Sequence, residues 1–102
     1  MIDKRIKFDK RFDDTENGII YLYFIAPKEM LYEFNIKEYV DAISMEICIE
    51  FSSKNHFDEP YLECSIAPTV EIDGVPSEID WYDVSIPYDE IKELMNLYRK
   101  ES

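Results

Sequence analysis

Over residues 4 to 12, KRIKFDKRF, Ile6, Phe8, Lys10 and Phe12 alternate with Arg5, Lys7, Asp9 and Arg11, the period of two that marks a strand with one wet face. DDTENG supplies turn residues, and IIYLYFIA follows as a nearly continuous β-branched and aromatic run, which predicts a central strand hairpin-paired to the first. Pro27, Lys28 and Glu29 fit a first helical turn with Met30, Leu31 and Phe34 on one face, although Tyr32, Phe34 and Ile36 also alternate as in a strand. Asn35 with Glu38 makes a capping-box pattern that Phe34 and Tyr39 could staple, and Ile36, Tyr39, Val40 and Ile43 form a helical stripe, so a helix is predicted over 36–43.

Strand alternation is clearest in ISMEICIEF, with Ile43, Met45, Ile47, Ile49 and Phe51 on one side and Ser44, Glu46, Cys48 and Glu50 on the other. SSKNHFDEP reads as a polar loop, and YLECSIAPTVEI as extended chain interrupted or bulged near Pro68. Asp73-Gly74 is a strong hairpin signal. If Ile72 faces Val75, regular register puts Glu63, Thr69, Glu71, Glu78, Asp80 and Tyr82 on one face, and Leu62, Cys64, Ile66, Val70, Ile79 and Trp81 on the other. Trp81 is then core and Tyr82 surface. PYDEIKELMNLYRKES opens on Pro87 and two acids, ends on Arg99 and Lys100, and stripes Ile91, Leu94, Met95 and Tyr98, the pattern of an amphipathic helix packed on a sheet. The expected fold is α+β: one globular domain over 1–102, with an antiparallel sheet of about five strands and two helices, one of them C-terminal.

Composition narrows the partners more than the fold. A content of 46% hydrophobic residues and 15% aromatics is too rich in core material for a disordered chain, while a net charge of −12 disfavours direct contact with nucleic acid or anionic membranes. No apolar run approaches the roughly 20 residues of a membrane span, and the N-terminus has no signal-peptide pattern, so a cytoplasmic location is expected. Cys48 and Cys64 have neither metal-motif nor disulfide-scaffold spacing and read as reduced structural thiols.

Catalytic chemistries find little support. His56 is the sole histidine and nothing places it beside a nucleophile. His56 with Asp58 and Glu59, or Asp80 with Asp83, matches no metal-binding spacing. Among 23 acids a pair suited to glycoside chemistry can always be drawn, and two glycines make no phosphate cradle. No cofactor is expected.

The distribution of charge is the informative feature. From Asn55 to Ile91 there are ten acids and no lysine or arginine, whereas residues 1–12 carry a net +3. Same-face strand neighbours lie about 6.8 Å apart, so Glu78 and Asp80 would form a row of like charge extended by Glu71 and Glu63. Such a row costs stability that a merely soluble surface could avoid by interspersing lysines. Phe57, Tyr61, Tyr82 and Tyr88 lie among these acids, and tyrosines hold complexes together once acids have steered the encounter. The expected contact set is Glu63, Glu71, Glu78, Asp80, Tyr82 and Tyr88. The partner expected is a basic protein, such as a nuclease or other nucleic-acid-binding protein, met in the manner of small acidic immunity-type inhibitors and DNA-mimicking anti-defence (anti-CRISPR-like) proteins; that comparison rests on size and acidity alone. The alternatives are an adaptor for a basic protein unrelated to nucleic acid and a small enzyme built on scattered carboxylates.

Overall fold

A computed structural model describes residues 3–52 and 63–101. His56, Phe57, Asp58, Glu59, Tyr61 and Leu62 lie outside the described residues, and so do the expectations resting on them. The elements are β1 (Lys7–Asp14), β2 (Ile19–Ala26), a 3-10 helix (Lys28–Phe34), β3 (Ser44–Ser52), β4 (Glu63–Ile72), β5 (Val75–Glu78), β6 (Tyr82–Val84) and α1 (Tyr88–Glu101). The six strands form one sheet in the order β1-β2-β3-β4, with β5 and β6 both paired to β4, and every pairing is antiparallel.

One face of the sheet carries the core. Leu22 and Phe24 of β2, Met45, Ile47 and Ile49 of β3, and Cys64 and Ile66 of β4 are buried there against Ile91, Leu94, Met95 and Tyr98 of α1. The helix begins and ends as its charges require, with Asp89 and Glu90 in the first turn and Arg99 and Lys100 in the last. Pro27 precedes the 3-10 helix, whose Leu31 is buried and whose Met30 and Phe34 pack against the same core. No helix among the described residues is long and apolar enough to cross a membrane.

The helix predicted over 36–43 is absent. Asn35 ends the 3-10 helix instead of starting another: it sits in the left-handed region at φ 61°, and its amide donates back to the Tyr32 carbonyl at 3.1 Å, a conformation asparagine tolerates better than most residues. Glu38, which the capping box would turn toward the Asn35 amide, accepts from the Lys37 amide and the Tyr82 hydroxyl. Ile36 and Ala42 are buried while Val40 is 82% exposed, so the apparent helical stripe is not one face.

Two one-residue irregularities at opposite edges of the sheet also depart from regular alternation. In β1, Phe8 pairs with Phe24 but Lys10 pairs with Tyr23, leaving Asp9 as an extra residue. Before that bulge Phe8 lies edge-on to Phe24 and Tyr98 in the core; after it Arg11 takes the helix side, where it donates to the Tyr98 hydroxyl, and Lys10 and Phe12 turn to the opposite face. At the other edge, β5 holds the expected register, Ile72 opposite Val75 and Thr69 opposite Glu78. β6 resumes with Ile66 opposite Tyr82 and Ser65 opposite Asp83, one residue out of step. Asp80 absorbs the extra residue at φ 50°. A shift of one exchanges the faces: Tyr82 packs against the core, and Trp81, expected in it, is 45% exposed.

The irregularity expected in β4 near Pro68 is thus displaced to its neighbour, since β4 itself runs unbroken. Ile79 donates to the Pro68 carbonyl at 3.1 Å. The amide and carbonyl of a strand residue point the same way, so the donor Pro68 lacks is missing on the side where the β5–β6 ladder breaks.

Candidate functional site: the open face of the sheet

Cross-strand register assembles the second face in rows. One runs Phe12, Tyr21, Glu50, Glu63, and the next Lys10, Tyr23, Cys48, Ser65, Asp83. A third holds Ile25, Glu46 and Ala67, and a fourth Ser44, Thr69 and Glu78. Among the described residues no helix packs on this face. Trp81 closes over the second row, its ring 6.2 Å from Tyr23 and inclined at 65°. Tyr23 stacks on Tyr21 at 6.4 Å, and Tyr21 meets Phe12 at 6.0 Å. Four aromatic rings thus cross the sheet from edge to edge in contact.

Carboxylates border this stripe. Glu50 and Glu63 stand directly opposite each other, an arrangement that costs stability. Burial raises the Glu50 pKa, and the nearby charges of Glu63 and Asp83 raise it further. Ion pairs are found elsewhere, joining Arg5 to Asp3 and to Glu29 of the 3-10 helix, and Arg11 to Asp13 on β1. Lys10 brings a cation to the stripe, its ammonium 5.1 Å from the Tyr23 ring centre.

Tyr21, Tyr23 and Trp81 with Glu50 and Asp83 wall a cavity of about 290 Å³ floored by Cys48 and Ser65. Burial pushes the Cys48 thiol up to about 11, and burial with Cys48 beside it holds the Tyr23 phenol up at about 12. The floor is therefore uncharged at neutral pH and offers no thiolate nucleophile. Cys48 faces this cavity while Cys64, one register position away on β4, faces the core; both are free and buried.

Glu46 sits deeper on the same face, 5% exposed, with Oε2 lacking a hydrogen-bond partner. Burial, then its hydrogen bond to Asp9 and the charges of Asp9 and Glu78, push its pKa up to about 9. It is a neutral acid at physiological pH, although strand alternation placed it on the wet side. No group of three or more histidine, cysteine or acidic side chains suited to a metal occurs among the described residues.

The six expected contact residues do not share one surface. Glu63, Glu71 and Glu78 lie on the open face as expected, Glu63 and Glu71 exposed, the latter near the hairpin turn, and Glu78 half-buried. Asp80 accepts from the Tyr39 hydroxyl, which lies 3.0 Å from the Tyr82 hydroxyl, and Tyr82 donates to Glu38 at 3.3 Å. These two residues thus fasten the segment after the 3-10 helix to the sheet edge. Tyr88 is half-exposed on α1 beneath the Lys92 ammonium, at 4.8 Å. The common face expected for Glu78, Asp80 and Tyr82 is corrected by the register shift at Asp80.

Sequence reasoning missed Phe12, Tyr21, Tyr23, Glu50, Trp81 and Asp83 as a set. A signal was present in β2, where Ile20, Leu22, Phe24 and Ala26 alternate with Tyr21, Tyr23 and Ile25, placing both tyrosine hydroxyls on one side of a strand read as uniformly apolar. Comparison of the chain finds no matching family model, no matching curated protein and no matching solved structure.

Proposed function

We propose that this chain is a binding protein without turnover, an acidic inhibitor that covers a cationic, nucleic-acid-handling surface of another protein. One observation carries the reading: a sheet face on which no described helix packs bears four aromatic rings in contact beside carboxylates that find no salt-bridge partner among the described residues. Exposed aromatics are the residues that anchor interfaces, and the surrounding negative potential selects a basic partner and speeds its approach. Like charges set opposite each other at Glu50 and Glu63 are a cost that a cationic partner would convert into attraction. The high thiol pKa of Cys48 leaves an enzyme reading no thiolate nucleophile in this cavity.

Capture of partners at low salt from the source cells, with identification by mass spectrometry, is the first step of the test. The captured protein's binding to nucleic acid, or its cleavage of it, is then titrated with the purified chain. Loss of that activity at a one-to-one ratio is expected. A basic partner that binds the chain yet keeps its full hold on nucleic acid would replace inhibition with the adaptor reading, and partners that are not basic would overturn both.

A further inference from the structure

We propose that the cavity between Tyr21, Tyr23 and Trp81 is a receptor for one arginine side chain of a protein partner, with Glu50 and Asp83 as the acceptors of its guanidinium. The inference rests on the reading of the chain as a binder of basic proteins and names the contact on which that binding turns.

Three features select the ligand. At about 290 Å³ the cavity sits at the lower limit of small-molecule sites and suits a single side chain. Its walls include two rings in edge-to-face contact, Tyr23 and Trp81, inclined at 65°, and a planar cation that stacks on one ring would meet the other at a steep angle. The Tyr23 ring already holds an ammonium, that of Lys10, and cations are drawn to aromatic faces when partly desolvated. The two carboxylates stand at the border, Glu50 half-buried and Asp83 exposed, while Cys48 and Ser65 beneath are neutral and polar.

Guanidinium fits this arrangement better than ammonium or a metal ion. It is planar, weakly hydrated and able to donate forked hydrogen bonds to carboxylates while its face stacks on an aromatic ring. An ammonium can rest over one ring, as that of Lys10 does over Tyr23, but as a strongly hydrated point charge it has no planar fork to offer the carboxylates while it stacks. Calcium would want six to eight oxygen ligands, and magnesium an octahedron of them, where this cavity offers two carboxylates, Glu50 and Asp83.

Trp81 is the only tryptophan, so its fluorescence reports on the cavity directly. Three peptides of equal length and charge spacing, carrying arginine, lysine or neutral citrulline at the same positions, are titrated against the full chain. The arginine peptide is expected to give a saturable Trp81 response at least threefold tighter than the lysine peptide, and the citrulline peptide none. Glu50→Gln with Asp83→Asn, a pair that relieves repulsion and so leaves folding intact, should weaken the arginine response about tenfold. Tyr23→Leu should abolish the preference for arginine over lysine. Glu71→Gln, near the hairpin turn, should change neither.

Equal responses to arginine and lysine that fade with salt and survive the Glu50 and Asp83 substitutions would overturn the receptor and leave only general acidic attraction. Silence of Trp81 toward all three peptides would overturn it as well. Both results are distinct from failure of the binding reading: a captured partner that is still inhibited by the Glu50→Gln/Asp83→Asn variant with parental affinity would keep the inhibitor and remove the arginine site.

Discussion

The two faces of the sheet are made from alternate residues of the same strands, yet they obey different rules. On the helix side Leu22, Phe24, Met45, Ile47, Ile49 and Ile66 are at most 2% exposed and carry no charge, so each contributes by leaving water. On the open side the same strands present Tyr21, Tyr23, Glu46, Glu50 and Glu63, where rings remain wet, one acid is neutralised by burial and two others repel. The first face is a solution to the problem of folding. The second is a set of costs that the first supports.

The contrast is broken most forcefully from the core side. Leu22→Ala or Ile49→Ala should cost about 2 to 5 kcal/mol, read as a lowered urea midpoint, whereas Tyr21→Ala on the adjacent strand position should cost about 1 kcal/mol or less. Equal losses would mean that the open face is packed after all.

Next in size is Glu46. In the unfolded chain this group ionises near its ordinary 4.5, and in the folded chain it holds its proton to about 9. Between those values the folded state binds more protons than the unfolded, so stability falls as pH rises through that window. Glu46→Gln can still donate to Asp9, and it should stabilise the protein by roughly 2 to 3 kcal/mol at pH 7, with little effect at pH 4. Thermal unfolding of the two proteins from pH 4 to 9 checks both the gain and the flattened slope. A variant with the parental pH dependence would show that Glu46 titrates normally.

Trp81→Ala sharpens the comparison in binding instead of stability. Its half-exposed ring should leave the melting temperature close to parental, while the partner dissociates faster by an amount equivalent to about 2 kcal/mol if the ring is an anchor. Surface-plasmon kinetics against the captured partner decide it, and a parental dissociation rate would move the interface elsewhere. The smallest expected effect is that of salt. Screening of Glu50, Glu63 and Asp83 between 0.02 and 0.3 M sodium chloride should raise the melting temperature by about 2 to 5 °C, and Glu63→Gln should shrink the increment.

Much of the framework could be read from local pattern because local chemistry fixes it. Asp73 and Gly74 both take positive φ, as a tight hairpin turn demands, and set Ile72 opposite Val75; the stripe of Ile91, Leu94, Met95 and Tyr98 is the buried face of α1. The open-face site was not legible, since it depends on two single residues, Asp9 and Asp80, that break the alternation of their strands. Nothing in KFDKRF or EIDWYD says that one aspartate is to be skipped. The break at Asp80 falls across from Pro68 on the neighbouring strand, and the bulged Asp9 meets the buried Glu46, so both involve residues distant in the sequence. The false helix over 36–43 has the same origin, because Asn35 serves either end of a helix and only the preceding turn settles which.

The bulges at Asp9 and Asp80 have a consequence beyond the faces they exchange. An open sheet ends in rows of unused amide and carbonyl groups, and those rows invite another strand to add on. Here each outer row is interrupted partway along, and β1 is further studded with Lys7, Asp9, Lys10, Arg11, Asp13 and Asp14. A newcomer strand would lose its register at the break and meet charge on either side of it. The same two aspartates that set the aromatic stripe thus also make each edge a poor template for strand addition.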